Sequence, residues 1–289
     1  IGNYAFQGTA LTEFIFPESS ADVMELGSNL FNKCTTLTKV YLSRNIADIG
    51  AAFKGCSNIS DLTVSPKNVN FKPYESTDGK KYPLLVDPDG TAIKFVYGDI
   101  VGEFAIPEGI ESIADNAFKD QAFITKITLP ASLISIGQYA FSYCSSLEEV
   151  VMPYDSAIET IGQYSFEYTS SLKHIDIPGD ENGVMKVRLE DRCFQYSGIE
   201  SITFRGDIAY VGNYVFRNCT NLTKVNNWVP NMPFIPNYFF YGCSSLENFT
   251  IPRLTDSEGN VQPIAIKTYA LYGTAIKNLV VPSYVTEIG

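Results

Sequence analysis

The sequence of 289 residues predicts an α/β solenoid, a right-handed superhelix of about ten coils, and three observations predict it. First, the element I-G-x-Y-A-F-x-x-C-x-x-L-x-x-V-x-x-P, clearest between Ile136 and Pro153, recurs along nearly the whole chain. Second, its aromatic anchor falls at Phe6, Phe31, Phe53, Phe118, Phe141, Phe166, Phe194, Phe216 and Phe240, with Leu271 in the same role. Most successive separations lie between 22 and 28 residues, a period typical of stacked-coil proteins, and one of 65 marks an irregular stretch. Third, residues such as Val150 and Met152 flank a single intervening position in each unit, the period-2 pattern of a strand with one buried face.

Each element of the unit has a physical reason. The opening Gly27, Gly50, Gly137, Gly162 and Gly212 suit a tight bend that needs unusual dihedrals or close backbone approach. The x-Tyr-Ala-Phe segment that follows is too short for a long helix, so a turn of helix or 3₁₀ structure is expected there. The Leu-x-x-Val-x-Leu segment is the strand, and stacked coils would align these strands into a parallel sheet. A proline follows in many units, as at Pro17, Pro130, Pro153, Pro178, Pro252 and Pro282, where it ends a strand without removing a ladder donor.

Cys34, Cys56, Cys144, Cys219 and Cys243 each stand three residues after the anchor, and Cys193 takes the small-residue slot filled elsewhere by Ala52 or Ala140. Thr9, Gln121, Thr169, Ser197 and Thr274 take that position or its near equivalent in other coils, so no partner cysteine is required. Reduced, buried thiols packing as small hydrophobes are therefore expected. The alternative is a bond between neighbouring coils, Cys34 to Cys56 or Cys219 to Cys243, because strand stacking at about 4.8 Å is compatible with disulfide geometry.

Composition narrows the function classes. A chain that is 45% hydrophobic and 18% charged can bury a large core. No run of about 18 apolar residues is present, so no membrane-spanning helix is expected. With 32 acidic against 21 basic residues the net charge is -11, which disfavours nucleic acid and anionic bilayers as partners. Residues 1–289 read as a single solenoid, with the same Ile-Gly pair at both ends, as though coils of a longer array had been cut at one phase.

The units resemble the BspA-like leucine-rich repeats, whose consensus combines I-G-x-x-A-F, Cys and L-x-x-V-x-[IL]-P. The likeness extends to residues 66–105, similar to the longer hairpin-bearing coil these proteins often carry, with Asp78-Gly79 and Asp87-Pro88-Asp89-Gly90 as turn chemistry. The family occurs on the surfaces of gut and oral bacteria and some protist parasites. The resemblance implies a secreted or cell-surface protein that acts in adhesion or in binding a host or matrix protein.

The exposed strand positions are the candidate binding surface. One row runs Ile15, Tyr41, Thr63, Thr128, Val151, Asp176, Thr203, Asn226, Thr250, Val280, and its neighbour runs Glu13, Lys39, Asp61, Lys126, Glu149, His174, Ser201, Lys224, Asn248, Asn278. Tyr41, Lys126, Glu149, His174 and Asp176 are the ligand-binding candidates on these rows, against an ordinary solvated sheet face. Trp228 is a sixth: the repeat breaks at Asn227, and the only tryptophan stands in a proline-rich turn where an exposed ring would anchor a partner or stack on a sugar, the other reading being a ring that covers a local defect in the stack. The tyrosines two residues before each anchor, such as Tyr139 and Tyr164, read as half-buried packing. The single histidine has no cysteine in its register, so no catalytic site, metal or cofactor is expected. The acidic loops at Asp180–Gly183 and Asp256–Asn260 lack the spaced ligands of a calcium loop. A protein-recognition scaffold is the leading reading, with a structural spacer presenting another domain and a carbohydrate-binding surface as alternatives.

Overall fold

A computed structural model describes residues 1–18, 23–77, 79–179, 187–206, 208–228 and 232–289. They form a β-solenoid of about 11 turns with parallel stacked strands. Each regular coil supplies one strand to a front sheet and one to a back sheet, with a compact run of turns between them. The front sheet comes in two parts. Strands Glu13–Ile15, Lys39–Leu42 and Asp61–Val64 make the first, and strands Gly102–Ala105, Ile124–Thr128, Glu149–Val151, His174–Ile177, Ser201–Phe204 and Lys224–Asn226 make the second. The back sheet runs from Lys72–Glu75 to Ile208–Val211, and a further three-stranded sheet joins Phe234–Ile235, Ile264–Ile266 and Val285–Ile288.

The structure has one more coil than the anchors suggest, because the stretch between Phe53 and Phe118 makes a full turn of its own. Its back strand Ala92–Val96 pairs parallel with Ser112–Ile113, and its front strand Gly102–Ala105 pairs parallel with Ile124–Thr128. Lys72–Glu75, Lys81–Val86 and Ala92–Val96 form an antiparallel meander that leads into that coil, where the resemblance implied a hairpin. Its second turn is fixed by Asp87, whose Oδ1 accepts from the amides of Gly90, Thr91 and Ala92 at 2.9–3.0 Å. Asp78 lies outside the described residues. The meander separates the two parts of the front sheet.

The core is a column of anchor rings. Phe31 and Phe53 stack at 5.0 Å and 2°, and Phe141, Phe166, Phe194 and Phe216 continue at 5.2–5.7 Å with planes within 10°. These rings are almost fully buried, which removes about 1.5–3 kcal/mol worth of apolar surface from water at each coil.

The helical part of the expected α/β class is absent: no α- or 3₁₀-helix occurs among the described residues. The Tyr-Ala-Phe segments are chains of turns, and backbone dihedrals explain why. Tyr139 and Tyr143 take φ of 56° and 63°, Tyr164 and Tyr168 take 56° and 57°, and most coils repeat such a pair four residues apart, while the Phe53 coil places it at Gly50 and Gly55. A helix needs an unbroken right-handed run. Here alternate amides leave the coil: Tyr139, Phe141 and Tyr143 donate to Gln163, Ser165 and Glu167 carbonyls of the next coil at 2.8–3.0 Å. The amides between them, on Ser142 and Cys144, close back on Tyr139 and Phe141 at 3.1 and 3.2 Å.

All six cysteines are free and buried. Five thiols sit at one repeated position and donate to the anchor carbonyl of the preceding coil or the nearest earlier one: Cys34 to Phe6 at 2.9 Å, Cys144 to Phe118 at 3.2 Å and Cys243 to Phe216 at 3.0 Å are examples. Where threonine replaces cysteine, the hydroxyl serves the anchor of its own coil, as Thr169 does to Phe166 at 2.8 Å. The repeated glycine answers to crowding. A Cβ on Gly162 would lie 2.6 Å from the Ile136 carbonyl oxygen, and only Gly50 of the five takes a left-handed φ, 49°.

Candidate functional site

Parallel pairing delivers the predicted rows. Lys126 is opposite Glu149, Glu149 opposite His174, His174 opposite Ser201 and Ser201 opposite Lys224, while Asp176 is opposite Thr203 and Thr203 opposite Asn226. Four of the six candidates, Lys126, Glu149, His174 and Asp176, therefore form one patch on the six-stranded part. Tyr41 lies on the three-stranded part, beyond the meander, where its hydroxyl donates to Glu18 Oε1 at 2.8 Å.

The patch is internally bonded. Lys126 Nζ meets Glu149 Oε2 at 2.9 Å, and that contact raises the lysine's pKa. His174 reaches Ser201 Oγ through Nδ1 and Asp176 Oδ1 through Nε2, both at 2.7 Å. Arg205 grips the other oxygen of Asp176 through Nε at 3.0 Å and through Nη2. Burial pushes the Asp176 carboxyl up, but hydrogen bonds from Arg205 and His174 prevail and hold it below the ordinary range.

Ser201, His174 and Asp176 thus stand in the order of a nucleophilic relay, which sequence reading missed. The signal was present, since Ser201 follows His174 in the same row. The chemistry is incomplete, because acyl transfer also needs free amides to hold an oxyanion. The Ser201 amide donates to the Lys173 carbonyl at 3.2 Å, and that of Ile202 lies within the strand ladder. What remains is an ordered polar surface. Among the described residues no group of three or more His, Cys, Asp or Glu side chains is gathered as metal ligands would be. Asp256 spends its carboxylate on its own loop, accepting from the amides of Glu258 and Asn260 at 2.9 Å, and Asp180–Gly183 lies outside the described residues.

Trp228 is not exposed as a ligand anchor would be; it covers the break in the stack. It is 8% exposed, with its ring 5.0 Å from both Phe204 and Phe239, so neither a partner nor a sugar meets its face. The cause is Asn227, whose φ of 55° turns the chain out of the strand and sends the next side chain inward. Residues 229–231 of the proline-rich turn lie outside the described residues. For the same reason the rows stop at Lys224–Asn226: Asn248, Thr250, Asn278 and Val280 belong to no strand.

The tyrosines two residues before the anchors stack as a column where the sequence placed them, and Tyr143, Tyr168 and Tyr196, two residues after the anchors, form a second column that sequence reading missed. Tyr139 stacks on Tyr164 at 4.6 Å, Tyr168 on Tyr196 at 4.8 Å and Tyr214 on Tyr238 at 4.5 Å, each pair within 14° of parallel. Arg192 fills the gap in the first column, its guanidinium 5.4 Å from the Tyr164 ring and 4.4 Å from that of Tyr214. Inside the columns neighbours cover the ring faces, whereas Tyr4, Tyr143 and Tyr269 at the column ends stay exposed.

A family model described as BspA type leucine rich repeat region (6 copies) matches residues 1–75, 95–186, 156–260 and 185–289, all but 76–94. Among solved structures, a leucine-rich repeat protein from Eubacterium ventriosum aligns over 99% of this chain and 70% of its own, at 18% identity and a TM-score of 0.57. The pneumococcal vaccine antigen PcpA aligns over 98% and 70%, at 17% identity and a TM-score of 0.56. Both show a shared fold. No curated protein matches.

Proposed function

The chain belongs to the BspA-type leucine-rich repeat family, and from that premise we propose that it acts outside the cell or at its surface as a scaffold that binds a partner protein through the front sheet. The observation that carries this reading is the bonded patch of Lys126, Glu149, His174, Ser201, Asp176 and Arg205 on a parallel ladder. Side chains already held by one another lose little freedom when a partner docks, so most of the contact energy appears as affinity. Charges matched in pairs favour recognition by shape and hydrogen bonding over attraction by net field. One further fact supports an exported location: a structural neighbour is named a vaccine antigen.

Adhesion to a host or matrix protein is the form of recognition we favour. The test is binding of the purified chain to an array of matrix proteins at physiological salt, repeated with Lys126→Glu, Glu149→Lys and Asp176→Arg. A specific hit lost in these variants supports the scaffold. A hit indifferent to them removes the front sheet from the function, and silence from folded protein favours a spacer that presents another domain. The carbohydrate reading has lost its main residue, since the Trp228 ring is enclosed.

A further inference from the structure

Both ladders stop at one boundary. The front sheet ends at Lys224–Asn226 and the back sheet at Ile208–Val211. The next coil is tied to them along the turns, where Tyr214, Phe216 and Asn218 donate to the carbonyls of Asn237, Phe239 and Tyr241 at 3.0, 3.1 and 2.7 Å. On the front side a cleft of about 1000 Å³ opens between Lys224–Trp228 and Ser244–Arg253. Asn227 is the cause, since its left-handed turn ends the strand before the next coil can continue the ladder.

Three features of the cleft point to a ligand. Lys224 donates to Glu200 O on the inner side of its strand, at 3.3 Å, so by alternation the N–H and C=O of Val225 face outward, along an edge with no partner strand among the described residues. Trp228 lines the same cleft, and its indole Nε1 is buried with no hydrogen-bond partner, a costly state for a donor. Lys224 and Arg253 also line it and form no ion pair among the described residues, whereas Glu247 is matched by Lys277 at 3.9 Å. In a chain of net charge -11, two unmatched cations at one cleft select for an anionic guest.

We propose that this cleft receives an extended acidic peptide segment of a partner protein, added as a strand along Lys224–Asn226. The segment pairs its backbone with Val225, places a carbonyl oxygen on the Trp228 indole N–H and sets a carboxylate between Lys224 and Arg253. The cleft lies on the outer edge of Lys224–Asn226, one strand beyond Ser201, and shares no residue with the patch around His174, so each can be tested by its own substitutions.

The test starts with a displayed library of random linear decapeptides selected on the whole chain, followed by fluorescence-polarisation titration of the enriched peptides. Enriched sequences should carry Asp or Glu among alternating apolar residues. Val225→Pro removes the outward N–H at a position where an edge strand tolerates proline, and should weaken binding at least about tenfold. Trp228→Phe keeps a ring in the core and should cost about fivefold. Arg253→Glu, at an exposed side chain, needs no core rearrangement and should cost about tenfold at low salt. Lys126→Glu and Asp176→Arg should leave this affinity unchanged. The proposal is overturned by the absence of enriched peptides, or by affinities indifferent to Val225→Pro and Arg253→Glu. It is also overturned by a concentration-dependent dimer that Val225→Pro abolishes, which would assign the edge to a second copy.

Discussion

Gln121 holds Ile100 with its side chain: the Ile100 amide donates to Gln121 Oε1 at 2.9 Å, and Nε2 of the same amide donates to the Gly98 carbonyl at 2.9 Å. Gln121 takes the slot that cysteine fills in regular coils, and the longer side chain reaches across to a preceding coil with no phenylalanine anchor in register. Gln121→Ala should cost about 1–3 kcal/mol, because it leaves the buried Ile100 amide without its acceptor. Gln121→Glu keeps that acceptor but turns a donor toward the Gly98 carbonyl into a second acceptor, so it should also destabilise. Urea midpoints at fixed slope measure both, and an unshifted midpoint for the alanine variant would refute the clamp.

The thiols give an alkaline signature. Burial pushes Cys56 and Cys219 up to about 12 and raises Cys144, Cys193 and Cys243 as well. Unfolded thiols titrate near about 8.5. Their contribution to stability is thus complete below that pH and lost as pH rises through the folded values, so unfolding free energy should fall between about pH 9 and 12. Burial of Tyr139 and Tyr143 acts in the same direction. Native protein should not react with a thiol-exchange reagent, and all six cysteines should react in denaturant. Rapid native labelling would contradict the burial.

Asp176 gives an acid signature of opposite sense. Its folded pKa lies below the ordinary value, so the stability it supplies is present above about pH 3.9 and lost as pH falls through the folded value. Urea midpoints of wild type and Asp176→Asn should differ near neutrality and converge on acidification. Parallel curves down to acid pH would show that Arg205 and His174 do not stabilise the carboxylate.

Gly162→Ala should be severe for its size. The added carbon would meet the Ile136 carbonyl oxygen at 2.6 Å and the Gly137 carbonyl carbon at 2.7 Å, both backbone atoms of the preceding coil that cannot rotate away. A cost of about 1–3 kcal/mol is expected from overpacking. A thermal melt within a degree of wild type would show that adjacent coils can separate locally.

Ser201 should be chemically ordinary. With its own amide spent on Lys173, the serine has a base but no oxyanion support, so a fluorophosphonate should leave it unlabelled. Mass-spectrometric detection of a Ser201 adduct that His174→Ala abolishes would show a working nucleophile.

Much of this architecture could be read from the repeat itself. A two-residue alternation and a conserved spacing within one chain put Lys126, Glu149 and His174 in one row, because stacking in register leaves no other arrangement. The extra coil was harder to see: its Phe104 and Ile106-Pro107 carry the strand signature, but no anchor in register precedes them. The turn conformations were illegible for a deeper reason. Tyr139 and Tyr143 hold left-handed dihedrals at a cost of about 1 kcal/mol each, and only hydrogen bonds to the neighbouring coil make that worthwhile. Local sequence does not show that compensation. Trp228 teaches the same lesson, since the break at Asn227 was plain but the direction of the ring depended on Phe204 and Phe239.

The boundary after Lys224–Asn226 also has a mechanical meaning. Between Gly102 and Asn226, neighbouring coils are stitched along the front strands, the back strands and the turns, so they resist bending in every direction. Here the stitching survives along the turns, with Val211 N–H donating to the Met232 sulfur at 3.4 Å where a ladder bond would be. With only the turns and the packing of Trp228 and Phe216 on Phe239 across it, this joint is where the stack would bend, like a book on its spine, the spine being the row of tyrosine turns. A strand laid in the gap would lock the book at one angle, making the orientation of the last coils a readout of occupancy.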